Sequence, residues 1–248
     1  MKAWVQSVFV WIFAVITLVL IFPVSVVVWL LTVPFDYKRR RLFHLFTSAW
    51  GSLYSWMAPF WKVRIENREN LDPEKVYVLV SNHQSMLDIL VLFRLFAHFK
   101  WVSKDENFRV PIVGWVMSMN RYVRLKREKR SSILHMMKAG LWHLRNGSSL
   151  MIFPEGTRSA NRELQRFKEG AFRLAKEAEV PILPIVLDGT GSALPKHGYV
   201  IRGKHRIIVR VLPEIPVEKV RESTSSQLRT STHNLMAREL EKIRRQSK

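Results

Sequence analysis

Two short polar segments hold most of the residues that could do chemistry. The first is Ser81-Asn82-His83-Gln84-Ser85-Met86-Leu87-Asp88, in which an imidazole precedes a carboxylate by five positions. Such a pair can keep a neutral imidazole in one tautomer, ready to take a proton from a hydroxyl. A helix N-terminus at this point disfavours imidazolium, whereas a nearby carboxylate favours it. A plainer reading competes: Ser85 and Asp88 also fit a capping box, with His83 as turn filler. The second segment is Phe153-Pro154-Glu155-Gly156-Thr157-Arg158-Ser159. Gly156 lets the backbone approach a ligand, Thr157 and Ser159 offer hydroxyls, and Arg158 supplies a planar fork for phosphate. Glu155 is expected to orient a basic group rather than touch phosphate. Alone, each segment is a weak signal, and the second also reads as a polar surface turn.

Both segments follow apolar, β-rich runs, Val76-Tyr77-Val78-Leu79-Val80 and Leu150-Met151-Ile152-Phe153. The carboxyl ends of strands are where open α/β sheets place ligands and reactive groups. Further strands are expected at Val63-Arg64-Ile65, near residues 100–103, over 182–187 and at 207–211. Helices are expected at about 85–97, 131–145, 168–178 and 225–245. The second of these carries Ile133, Leu134, Met137, Leu141 and Leu144 as its apolar positions and stops at Asn146-Gly147. The last carries Leu228, Leu235, Leu240 and Ile243. This alternation predicts an α/β fold, a sheet with helices packed on it.

The rest of the composition narrows the partners. Forty Lys and Arg against twenty Asp and Glu give a net charge of +20, which calls for an anionic partner. Cysteine is absent, so disulfides, thiolate ligands and a cysteine nucleophile are excluded. The eight histidines show no zinc-ligand spacing. From Ala3 to Phe35 no residue is charged, a run longer than the ~20 residues a spanning helix needs. Lys38-Arg39-Arg40-Arg41 follows it, against Lys2 alone before it, which places the remainder on the cytoplasmic face of a membrane. A cleaved signal peptide fits poorly, because the basic cluster follows the apolar run. Pro23 leaves a kinked span and a re-entrant hairpin both open. The aromatic-rich stretch 42–61 suits an interfacial helix or a buried one. The expected division is a membrane anchor over 1–61 and a catalytic domain over 62–248, ending in a basic helix.

Taken together, the two segments resemble motifs of the glycerolipid acyltransferases, specifically the 1-acylglycerol-3-phosphate acyltransferases. Lys104, Pro111, Gly114 and Arg127 are similar to that family's second motif, and Val180-Pro181-Ile182-Leu183-Pro184-Ile185 to its fourth. Phe167-Lys168-Glu169-Gly170 also looks familial, and the likeness covers roughly residues 62–211. Where the family usually closes its second motif with Ile-Asp-Arg, this chain has Leu125-Lys126-Arg127, which makes the site more positive.

The resemblance implies a mixed sheet flanked by helices and a direct acyl transfer. His83, oriented by Asp88, would deprotonate the free hydroxyl of lysophosphatidic acid, which then attacks an acyl thioester. Lys104, Arg127, Glu155, Gly156, Thr157 and Arg158 would form the acceptor-phosphate site. No cofactor or metal is expected; acyl-CoA or the acidic acyl carrier protein would be the co-substrate, and anionic lipids the surface. Another lysophospholipid or glycerol 3-phosphate is the alternative acceptor. A nucleic-acid partner is not expected, because the basic residues are dispersed and no recognition motif is present. A non-catalytic lipid carrier would have no use for the His83 and Asp88 pair.

Overall fold

The computed structural model describes residues 2–126, 130–196, 198–201 and 203–246. Two helices come first, α1 (Lys2–Thr32) and α2 (Arg41–Trp56), followed by strand β1 (Trp61–Glu66). Then come β2 (Val78–Ser81), α3 (Leu87–Phe93), β3 (Phe99–Lys104), α4 (Val113–Met119), β4 (Val123–Leu125) and α5 (Arg130–Arg145). The chain continues with β5 (Ser149–Ile152), α6 (Gly170–Ala178), β6 (Ile182–Asp188), α7 (Thr190–Ala193) and β7 (His205–Val211). Helices α8 (Val217–Glu222) and α9 (Ser225–Gln246) complete it.

The strands form one seven-stranded sheet in the order β1-β7-β6-β2-β5-β3-β4. It is mixed: β6 and β7 are antiparallel, and the other neighbouring pairs are parallel. The central strands β2, β5 and β6 are almost wholly buried, as parallel strands covered on both faces must be. Their side chains alternate between two cores. Leu79, Met151 and Leu183 point to the layer of α3 residues Leu87, Val91 and Leu92. Val78, Val80 and Leu150 point to the layer of α5, α6 and α9, including Met137, Leu174 and Met236.

Helix α1 is one continuous helix through Pro23, so a re-entrant hairpin does not form. It alone among the described residues is long and apolar enough to cross a membrane. One side of it is fastened to the domain along much of its length. Ile201 N donates to Ser7 Oγ (2.8 Å) and Trp11 Nε1 to the Tyr199 carbonyl (2.9 Å). Further along, Thr17 Oγ1 meets the Tyr54 hydroxyl (3.2 Å), and the Phe22 ring packs on Trp115 with centroids 5.4 Å apart. Most of its other apolar side chains, including Trp4, Phe9, Val15, Leu20 and Leu31, are exposed.

Several expectations need amending. Helix α3 is short, because Phe96 adopts a left-handed backbone (φ 49°) and turns the chain into β3. On α5 the core positions are Met136, Met137 and Leu144, whereas Ile133 and Leu134 in its first turns are 41% and 63% exposed. Helix α6 starts at Gly170 rather than at Lys168. The stretch 42–61 contains a half-buried helix: α2 sinks Phe43, His44, Thr47, Ser48 and Trp50 into the protein and leaves Leu42 and Trp56 outside. The basic cluster is partly structural too. Arg40 is buried and donates to the Met119 carbonyl (2.7 Å), and Arg41 pairs with Glu74 (2.9 Å).

Candidate active site

Register brings the two polar segments together. Strands β2 and β5 are parallel neighbours with Val80 opposite Ile152. Three residues beyond each lie His83 and Glu155, and they touch: His83 N donates to Glu155 Oε1 (2.9 Å). Ser159 N returns a bond to the His83 carbonyl (2.8 Å). On the other flank, Asn82 extends the ladder toward β6 with its side chain. Its Nδ2 donates to the Leu187 carbonyl (2.8 Å), and its Oδ1 accepts from Leu187 N (2.7 Å). The loop bearing His83 is thus held by both neighbouring strands.

Asp88 is 0% exposed, and one of its oxygens serves three donors. Oδ2 accepts from His83 Nδ1 (2.7 Å), Gln84 N (2.7 Å) and Ser85 N (2.9 Å). Ser85 Oγ accepts from Leu87 N (3.1 Å) and donates to the Leu194 carbonyl (2.6 Å). The same carboxylate thus meets both the imidazole and the backbone just ahead of α3, and the Ser85 hydroxyl is occupied. With Nδ1–H assigned toward Asp88, Nε2 keeps its lone pair. The His83 side chain stays 15% exposed. Phe153 lies flat beneath the ring, 3.9 Å between centroids at 9°, and Trp101 stacks on Phe153 in turn (5.5 Å). Phe153 was legible as a strand end and as the first residue of the second segment; its place under His83 follows from the β2–β5 register.

Glu155 is 5% exposed, and both of its oxygens take backbone N–H groups, Oε2 accepting from Gln165 (3.3 Å). Burial pushes its carboxyl up to about 8; the His83 and Gln165 amides oppose that shift, and the Asp88 charge adds to it. The group it orients is His83, gripped by the main chain. Gly156 N closes the turn on the Phe153 carbonyl (3.0 Å) with φ 73°, a conformation suited to glycine. A Cβ there would lie 3.1 Å from both Cε and Nζ of Lys168. Thr157 is exposed and Arg158 half-buried. Lys104 is exposed at the end of β3, which pairs with β5. Among the described residues neither Arg158 nor Lys104 has an acidic partner. Lys126 lies 3.6 Å from Asp105, so its added charge is partly met. Arg127 falls outside the described residues.

Among the described residues the site joins an imidazole held by a buried carboxylate to cations without an acidic partner at the same end of the sheet. The fold matches the crystal structure of the 1-acyl-sn-glycerophosphate (LPA) acyltransferase from Thermotoga maritima. The TM-score is 0.84 at 22% identity, over 98% of this chain and 96% of that one. A family model described as Acyltransferase matches residues 62–188, and the chain belongs to that family. It is 42% identical over 187 residues to a 1-acyl-sn-glycerol-3-phosphate acyltransferase of Chlamydomonas reinhardtii, covering 74% of this chain and 56% of the relative. It is also 42% identical over 180 residues to a chloroplastic 1-acyl-sn-glycerol-3-phosphate acyltransferase of Arabidopsis thaliana, covering 71% and 49%. The matches thus span about half the length of these curated relatives.

Proposed function

We propose that this protein moves a fatty acyl group from a thioester to the free hydroxyl of lysophosphatidic acid, giving phosphatidic acid. The observation that carries the reading is the 2.7 Å bond from His83 Nδ1 to buried Asp88, on a loop tied through the main chain to the Arg158 segment. A base and an anion-binding group on one rigid support are what a phosphorylated alcohol acceptor requires. The names of the relatives support the same acceptor.

In the reaction, His83 Nε2 takes the hydroxyl proton as the acceptor oxygen bonds to the thioester carbonyl carbon. Asp88 stabilises the imidazolium that forms. The tetrahedral intermediate then expels the thiolate, which leaves as the thiol with the proton from His83. Arg158 and Lys104 hold the acceptor phosphate, with Arg127 and the Thr157 hydroxyl as further contributors. The donor is acyl-CoA or acyl carrier protein; both are anionic and suit a chain of net charge +20.

In this reading α1 lies along the near leaflet with its exposed side in lipid, on the cytoplasmic face. The helix is tied to the domain at a few points from Ser7 to Phe22 and leaves most of its apolar side chains exposed, free for acyl chains. The decisive experiment assays purified protein in mixed micelles against lysophosphatidic acid, other lysophospholipids and glycerol 3-phosphate, with each donor. Transfer to lysophosphatidic acid that vanishes in His83→Ala is the expected result. Preference for an acceptor lacking a phosphomonoester would overturn the assignment.

A further inference from the structure

We infer that Lys168 is an acceptor-phosphate ligand, supplied to the Glu155-Gly156-Thr157-Arg158 turn from the start of the next helical segment. The inference rests on the acyltransferase reading and adds to it a cation from outside the two polar segments.

The main chain fixes where this lysine starts. Lys168 N donates to the Pro154 carbonyl (2.8 Å), so its backbone is pinned to the turn that follows β5. Phe167, one residue earlier, is buried and packs on Phe172 and His233. From that fixed base the side chain lies across Gly156, where a Cβ would be 3.1 Å from Nζ. Gly156 therefore answers two demands: the φ of 73°, and open space under an ammonium group. A side chain here would strain the backbone and crowd the end of Lys168.

The charge of Lys168 is also left unanswered. Among the described residues no carboxylate lies within ion-pair distance of it. The two acids that could have served are engaged elsewhere: Glu155 with the His83 and Gln165 amides, and Glu169 with Arg229 (3.6 Å). An exposed lysine on a fixed backbone, over the glycine of the turn that also carries Arg158, itself without an acidic partner, suits a doubly charged phosphomonoester. The amine acts there as a point charge, and Arg158 supplies the fork.

The test compares Lys168→Met, Lys168→Gln and Lys168→Arg in the full chain, with thermal melts to verify folding. The expected result is an apparent KM for lysophosphatidic acid raised about tenfold in the Met and Gln variants, the size of one charge-assisted bond. Meanwhile kcat and the donor KM stay within about twofold of the parent, and Lys168→Arg largely restores acceptor KM. Glycerol 3-phosphate, as a non-lipid probe, should raise the melting temperature of the parent and of Lys168→Arg but not of the other two. An unchanged acceptor KM, or a selective rise in donor KM, would overturn the inference. If the parent transfers nothing to lysophosphatidic acid, the functional reading fails instead, and the glycerol 3-phosphate shift still decides whether Lys168 binds phosphate. Should Met prove unfolded, the Gln variant reads the same quantities.

Discussion

At Asp88 a single carboxylate oxygen meets three donors while Oδ1, also buried, has no partner among the described residues. An asparagine can therefore keep its oxygen toward His83, Gln84 and Ser85 and place its amide nitrogen where Oδ1 was. Asp88→Asn is expected to fold with a loss of only ~1–3 kcal/mol, the cost of one buried donor without an acceptor. Activity should fall much further, because a neutral amide does not stabilise imidazolium. His83→Ala should lower kcat by ~10²–10⁴ with an unchanged melting temperature. Parallel melts and turnover assays separate these two effects. Glu155 gives a pH signature. Its folded carboxyl sits near 8, above its ordinary 4.5, so stability is fully present at low pH and is lost as pH rises through that interval. Glu155→Gln should flatten the slope of melting temperature against pH between about 5 and 8; a parallel slope in both proteins would contradict the sign. At this scale the sequence made His83, Asp88 and Arg158 visible through residue type and spacing. Lys168 and Phe153, although they lie in segments the sequence singled out, gave no local sign that one would lie over Gly156 and the other under His83.

Among the elements, β3 carries charge at both ends. Lys104 marks its end, opposite Leu125 of β4, whereas Lys100 near its start, opposite Leu150 of β5, is wholly buried and donates to the Asn120 carbonyl (2.9 Å). Around it are His44 from α2, His98 just before β3 and His143 from α5, with Arg39, Arg40 and Arg121 nearby and Asp36 as the opposing charge. Burial, opposed by the Asp36 charge and helped by Arg40, Arg121 and Arg39, lowers the Lys100 amine to about 7. Since this is below its ordinary 10.5, folding loses stability as pH falls from about 10.5 to 7. Lys100→Met should accordingly raise the melting temperature more at pH 7 than at pH 10, as buried charges replaced by apolar groups of similar size often do. This cluster also explains why α2 was hard to place. Its His44, Ser48 and Ser52 look solvent-facing by type, yet they are buried. By contrast β2, β5 and β6 were plain in the sequence, because strands covered on both faces are nearly continuous apolar runs. Strand β4, only three residues long, and α4 carry too little periodicity to stand out.

For the molecule as a whole, α1 and α2 are expected to differ in what they hold up. Deleting the chain through Thr32 removes the exposed apolar side chains of α1 and leaves the buried face of α2 in place. That truncated protein should keep one cooperative melt and lose most binding to anionic vesicles. Deleting through Trp56 removes Phe43, His44 and Trp50 from the interior and should abolish the melt. Vesicle sedimentation and calorimetry on both chains test the contrast. Retained vesicle binding without α1 would put the lipid surface elsewhere.

The β2–β5 pairing also sets a schedule. His83 meets Glu155 and Ser159 only after some seventy further residues have been made, and β2 gains its other neighbour only when β6 follows. Helix α1 precedes all of them. At ~5–20 residues per second, the gap between α1 and β6 is on the order of 10–30 s of synthesis. During that interval the apolar helix is available to lipid while the base still lacks its setting. On the proposed function, a ribosome carrying this chain would reach the bilayer with its apolar helix and no active site, so the site would be assembled where its acceptor already is.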